Sequence, residues 1–304
     1  PKCHFALLAV RGDVSYAIYA ITTQGPRTVI VGNQVDADTG HSGTGGLQIQ
    51  GAATDSIVMG NLLAGSLNSV SLLAASLTFT DNDCGAVLLV GADSRFRGNK
   101  CTTLSSTAAG ALIQGNYMDS GTGTFDVSAA RTQFSDNVVL HDNNATTEVV
   151  LNGANCIWRG NYFKPSSGGQ GSNVAIDGAG NSIFAGNRIE QGSDLTRGSL
   201  TLDNTNIFVC SHNFIDHDLD FTSVGSPTDQ YVLVGNLVVG DIAVTGTPGV
   251  DRGVLVGNRA ANITPGVGIP TNGVVAVANL VANGGNVFTA GPGTASINTH
   301  NIGN

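Results

Sequence analysis

One phrase recurs along this chain: a short apolar strand, usually Gly-Asn, then two more strand residues, as in Ile157-Trp158-Arg159-Gly160-Asn161-Tyr162-Phe163. Its asparagine falls at 33, 61, 82, 99, 116, 137, 161, 187, 213, 236, 258, 279 and 301, thirteen copies in 304 residues. The steps run from 17 to 28 residues and average about 22. A repeat of this length is the mark of a solenoid, in which each copy is one coil and buries its apolar face only against its neighbours.

The chemistry of the phrase narrows the kind of solenoid. Asparagine adopts the left-handed backbone region at low cost, so the asparagines are expected to be the left-handed residues of a sharp corner. Gly precedes them in eight copies, at 32, 60, 98, 115, 160, 186, 235 and 257, which suits a tight bend. Corners repeated in register would stack the amides about 4.8 Å apart and let them hydrogen-bond along the stack. Five and three places before the asparagine stand pairs such as Thr28 and Ile30, Leu77 and Phe79, Cys156 and Trp158, Phe208 and Cys210, Tyr231 and Leu233. Two places after it come Val35, Leu63, Cys84, Cys101, Met118, Val139, Phe163, Ile189, Ile215, Val238, Ala260 and Val281. This alternation points them inward, and an earlier patterned strand in each coil, such as Glu148 to Asn152 or Ser199 to Asp203, gives three strands per coil.

The fold expected is therefore all-β, a right-handed parallel β-helix of about 13 coils with an internal asparagine ladder. On these residues the chain resembles the repeat of the pectin-lyase-like superfamily, from about residue 14 to 304, a group that includes polysaccharide lyases, glycoside hydrolases, epimerases and phage tailspikes. A β-sandwich with incidental Gly-Asn turns is the competing reading, and the regularity of the ladder opposes it. One elongated domain over 1–304 is expected, with an N-terminal lead-in coil at 1–27, regular coils over 28–304 and the longest loops at 137–236. The abrupt start at Pro1 and the polar last rung, with Asn298, His300, Asn301 and Asn304, suggest a piece of a longer protein or ends covered by another subunit or domain. The 17-residue steps from 82 to 99 and from 99 to 116 imply compact coils or a slip of register.

Composition excludes several partners. A net charge of −9 leaves no basic surface for nucleic acid, and no apolar run approaches the roughly 18 residues that span a bilayer. The five cysteines, at 3, 84, 101, 156 and 210, lack metal-ligand spacing. Cys84 and Cys101 occupy equivalent inward places, either as buried free thiols or as a bridged pair. Arg11-Gly12-Asp13 reads as a turn, and Asn144 and Asn262 head glycosylation acceptor triplets that matter only in a host with that machinery.

The candidate site lies one and three places past the ladder, on the outer side of the following strand. These positions read Tyr117 and Asp119, Val138 and Leu140, Tyr162 and Lys164, Arg188 and Glu190, Phe214 and Asp216. Aromatic rings and charged groups on one face suit a polysaccharide, whose rings stack on aromatics while its hydroxyls bond to charge. Packing of Tyr162 and Phe214 beneath the long loops is the alternative. Glu190 and Asp216 hold equivalent places on adjacent coils, a separation of about 5 Å that matches retaining glycosidases, and Asp194, Asp218, Asp220 and Asp229 extend the choice. Like-charge proximity would raise one pKa and set an acid beside a base. Asn152, Asp177 and Asp203 form a second column, read as turn-stabilising. The run Asp216-His217-Asp218-Leu219-Asp220 lacks the glycine and closing glutamate of an EF-hand loop, so no metal and no cofactor are expected.

Related enzymes carry motifs that this chain lacks: no Gly-His-Gly, no polygalacturonase-type Asp-Asp pair, no calcium-plus-arginine constellation of the pectate-lyase kind. Outward positions four and two places before the ladder are apolar at Val232 and Val234, Val254 and Val256, Val275 and Val277, preceded by Ile157, Ile183 and Val209. A stripe of that kind on a solvated face implies contact with another surface, and the resemblance to tailspikes implies a homotrimer. Two functions remain: an extracellular or virion-surface β-helix that binds a cell-surface polysaccharide, with or without cleaving it, or a non-catalytic structural rod such as a spike, fibre or adhesin.

Overall fold

The computed structural model describes all residues except 1–3, 7–9, 12–18, 37–44, 65–68, 122–124, 143–148, 167–168, 172, 178–179, 204–206, 224–229, 247–251, 266–273, 283–296, 300–301 and 304. Gly12, Asp13, Asn144, Asp229, His300, Asn301 and Asn304 thus lie outside the described residues, as does the side chain of Asn298. The described residues form strands and turns with no helix, in two compact units, Pro1–Leu140 and His141–Asn304.

Both units are parallel β-solenoids. In the second, the chain passes from Val149–Asn152 in the second sheet to Ile157–Arg159 in the first and Tyr162–Lys164 in the third, and then begins the next coil at Val174–Asp177 in the second sheet. Each strand pairs in parallel with its counterpart one coil on, as Ile157↔Ile183, Tyr162↔Arg188 and Val174↔Leu200. Parallel pairing obliges a long return path, and here the other two strands of the coil supply it. In the first unit the same three-sheet pattern appears, for example Arg95–Arg97 between Thr78–Thr80 and Leu112–Gln114. The register holds through the 17-residue coils, with Phe79 beside Phe96 and Phe96 beside Ile113.

The described residues form about nine turns, a correction to the thirteen read from the asparagines. An asparagine marks a corner, whereas a full turn needs a strand in each of the three long sheets. After Asn82 the third strand shrinks to Asp83, which makes only isolated bridges to Leu62 and Lys100, and the third-sheet strands before it form a separate three-stranded sheet.

The asparagine ladder is present in each unit. Its described members, Asn33 to Asn137 and Asn161 to Asn279, are at most 2% exposed. From Asn33 through Asn116 and from Asn161 through Asn258, the backbone N–H of each ladder asparagine donates to Oδ1 of the asparagine one coil on, at 2.8–3.1 Å, and its Nδ2 donates to the same oxygen at 2.8–3.2 Å. The remaining Nδ2 hydrogen goes to a backbone carbonyl, as from Asn258 to Leu233 at 2.8 Å. Complete hydrogen bonding is what makes a buried amide tolerable.

The left-handed residue is the one before the asparagine, which corrects the sequence expectation. Gly32, Gly60, Gly98, Gly115, Gly160, Gly186, Gly235 and Gly257 have φ between 61 and 65°, and Asp81, Asp136, His212 and Ala278 take the same conformation where glycine is missing. The bend is made there, which leaves the asparagine free to aim its amide along the stack. A second left-handed corner stands six places before the ladder, at Arg27, Asp55, Ser76, Asp93, Gly110, Arg131, Asn155, Asn181 and Ile207. Just after it, Ser56, Ser94 and Ser182 accept the backbone N–H of Thr28, Leu77 and Cys156 at 3.0, 3.2 and 3.0 Å.

The core is the column of inward residues expected from the alternation. Trp158, Phe184, Phe208, Phe134 and Phe125 are fully buried, and stacking adds to their apolar burial. Phe79 and Phe96, on adjacent coils, lie with ring centroids 5.4 Å apart and planes 4° apart. Cys84 and Cys101 are buried free thiols, with burial pushing Cys84 up to about 12.

Candidate functional site

The third sheet of the second unit, with the residues directly after two of its strands, carries six of the eight site residues. Strands Tyr162–Lys164, Arg188–Ile189 and Phe214–Ile215 set Tyr162, Arg188 and Phe214 side by side in register, while Phe163, Ile189 and Ile215 point inward. The outer three form a stack: the Arg188 guanidinium lies 5.3 Å from the Tyr162 ring centre and 5.2 Å from that of Phe214. Lys164 Nζ adds a contact 5.3 Å from the Tyr162 ring. Strand neighbours about 4.8 Å apart leave little room between these rings, and the flat guanidinium fills it.

Glu190 and Asp216 follow at equivalent places and take different partners. A Glu190 Oε1 sits 2.5 Å from an Arg188 guanidinium nitrogen. Tyr162 also bonds to Glu190, and burial, then this bond and the charge on Glu190, raise the phenol pKa while Arg188 lowers it. The tyrosine therefore stays protonated and donates to the carboxylate. Asp216 Oδ2 instead accepts the backbone N–H of Gln191 at 3.2 Å. Lys164, Tyr162, Phe214, Glu190 and Asp216 are half-buried and Arg188 is exposed. The arrangement is a fixed strip of aromatic edges, guanidinium N–H and carboxylate oxygen, a donor and acceptor pattern suited to vicinal hydroxyls.

Tyr117 and Asp119 belong to the first unit, both exposed on Tyr117–Gly121. Tyr117 pairs in register with Lys100, which is 3.2 Å from Asp83. Leu140, expected outward, is buried at 7% exposure. Its carbonyl accepts the Ser120 hydroxyl at 2.8 Å, so the end of that strand is drawn in.

Two loops beside the strip are joined. Gly171 and Gln191 form an antiparallel bridge, and both the backbone N–H and the hydroxyl of Ser193 donate to the Gly169 carbonyl at 3.0 and 3.1 Å. Gly169 lies where a Cβ would fall 1.7 Å from Asp142 Oδ1, and Ser166 donates to the same carboxylate. The glycines at 169, 171 and 192 were the sequence signal for this close approach.

On the first sheet of the same unit, Val232, Val254 and Val275 form one in-register outer column and Val234, Val256 and Val277 the next, all half-buried. Ile157 and Ile183 extend the first column at 38% and 39% exposure. In the column of Asn152, Asp177 and Asp203, Asn152 Oδ1 accepts the Asp177 backbone N–H at 2.7 Å, a bond between the ends of strands one coil apart. Asn262 Nδ2 donates to Asp241 Oδ1 at 2.7 Å, which engages the amide of that glycosylation triplet.

Among the described residues no group of three or more His, Cys, Asp or Glu is arranged to hold a metal ion, and no helix is long and apolar enough to cross a membrane. No family model, no curated protein and no solved structure matches the chain.

Proposed function

We propose that the protein is an extracellular or virion-surface β-helix of pectin-lyase-like, tailspike character that binds a cell-surface polysaccharide along the outer strip of its second unit. The observation that carries this reading is the Tyr162–Arg188–Phe214 stack with Glu190 tied to it. A sugar chain lying on the strip meets ring edges, the remaining guanidinium N–H groups and carboxylate oxygens already held in place, so little side-chain entropy is lost on binding. Arg188, Tyr162 and Phe214 recognise, with Lys164 and Asp216 flanking them; Tyr117 and Asp119 offer a second contact point on the first unit. Glu190 and Asp216 remain the acid and the base or nucleophile if binding is accompanied by cleavage.

The experiment is equilibrium binding to a panel of bacterial capsular and lipopolysaccharide glycans. Arg188→Ala is expected to weaken a bound glycan at least about tenfold, and an unchanged affinity refutes the role of the strip. Reducing-end release by the protein, and its loss in Glu190→Gln and Asp216→Asn, decides between binding and hydrolysis.

The outer valine columns favour a second reading, a structural spike that self-associates as a homotrimer through Val232, Val234, Val254, Val256, Val275 and Val277. Changing Val254 and Val256 to Asp should give monomers by light scattering; an unchanged mass rejects this interface.

A further inference from the structure

A second side-chain ladder runs along the corner where each coil of the second unit enters its second sheet. Asn173 Oδ1 accepts the Ser199 N–H at 3.2 Å, Ser199 Oγ accepts the Asp218 N–H at 3.4 Å, and Asp218 Oδ1 accepts the Asp241 N–H at 2.8 Å. Asp241 Oδ1 in turn accepts from Asn262 Nδ2 at 2.7 Å. Neutral groups serve at 173, 199 and 262, but carboxylates serve at two successive rungs, 218 and 241.

A third carboxylate, Asp220, stands two residues into the strand Leu219–Ser223, in register between Thr201 and Ala243. The charged groups on the elements around it are Asp203 on Leu200–Asp203, Asp216, His217 and Asp218 in the corner, and Asp241 ahead of Ile242–Gly246. Residues 199–203, 216–223 and 239–246 contain no lysine or arginine. His217 is the one group among them able to carry positive charge; its Nδ1 lies 2.9 Å from Asp218 Oδ2 and 2.9 Å from Ser199 Oγ.

We propose that this corner is a pH-responsive lock: two successive rungs of the ladder are the carboxylates Asp218 and Asp241, Asp220 stands on the strand that starts from them, and one imidazole, that of His217, is the cation available to all three, so the corner loosens as pH rises. Burial first, then Asp218 and Asp241, lift the Asp220 carboxyl above its ordinary range, with His217 acting the other way. A raised folded-state pKa contributes stability that is fully present below the unfolded value, about 3.9, and is lost as pH rises through the folded value. The lock is independent of what the outer strip binds.

The test compares thermal unfolding of the full chain and of Asp220→Asn at pH 4 and pH 7, with amide exchange over 214–223 and 237–246 read on the same samples. The variant should gain on the parent between the two pH values by a Tm difference on the order of 2–4 °C, and the parent's exchange in those segments should quicken at pH 7 once corrected for intrinsic rates. A difference between variant and parent that is the same at both pH values overturns the lock. Asp241→Asn keeps the Oδ1 acceptor and removes one charge, so it should flatten the parent's pH dependence in the same assay; an unaltered slope also counts against the proposal.

Discussion

Replacing Asn236 by alanine removes one rung of the ladder from the middle of the second unit. Its Oδ1 accepts the backbone N–H of Asn213 at 3.1 Å and Asn213 Nδ2 at 2.9 Å, and its Nδ2 donates to the Cys210 carbonyl and to Asn258 Oδ1, both at 2.9 Å. Asn236 is 1% exposed, so solvent cannot replace these partners. Asn213 Nδ2 keeps the Phe184 carbonyl at 3.0 Å and Cys210 Sγ at 3.2 Å, so its backbone N–H is orphaned and one amide hydrogen is left with a weaker sulfur acceptor. At about 1–2 kcal/mol for the orphaned buried N–H, less for the amide left on sulfur, plus a small cavity, the expected loss is about 2–3 kcal/mol. Denaturant unfolding followed by far-UV circular dichroism measures it, with Ser211→Ala on the outer side of the preceding corner as a control that should lose under about 0.5 kcal/mol. A loss for Asn236→Ala below about 1 kcal/mol would show that the amides do not hold the coils together. Asn236→Asp sharpens the test, because it keeps the accepting oxygen and removes both donors. Burial would raise the introduced carboxyl's pKa, so its deficit should be least below about pH 4 and grow as pH rises through the folded value.

Ile207, β-branched at φ 51° and 48% exposed, stores strain that Ile207→Asn should release, raising stability by about 1 kcal/mol in denaturant unfolding; a destabilised variant would mean that the side chain packs usefully. At Gly253 an added Cβ would meet the Tyr231 ring at 2.2 Å, so Gly253→Ala should cost about 2–3 kcal/mol by overpacking, and a neutral result would mean that the ring swings aside. Cys84 and Cys210, each lifted to about 12 by burial, should resist a thiol reagent at pH 8 in the native protein and react once unfolded; fast native labelling would place them nearer the surface.

The inward positions were legible because burial leaves a strict period: Trp158, Phe184, Phe208 and Leu255 all fall where alternation around the asparagine puts them. Less legible was which residue makes the bend, since Gly and Asn both tolerate left-handed backbone and are neighbours in eight of the thirteen copies. The corner ladder through Asn173, Ser199, Asp218, Asp241 and Asn262 escaped notice because its members differ in type and share only a place, immediately before a second-sheet strand. The outer column was legible as such, yet alternation says only that Tyr162, Arg188 and Phe214 point outward. That their rings would close on the guanidinium, and that Glu190 and Asp216 would turn to separate partners, follows from rotamers and neighbours that no spacing encodes.

The most direct test of the central claim is amide exchange of the full chain with and without the tightest-binding glycan of the panel. Binding at the outer strip predicts slowed exchange over 162–164, 188–191 and 214–217, with the valine strands 232–234 and 254–256 unchanged. Slowed exchange confined to other segments, or saturable binding that leaves 162–164, 188–191 and 214–217 untouched, would contradict it.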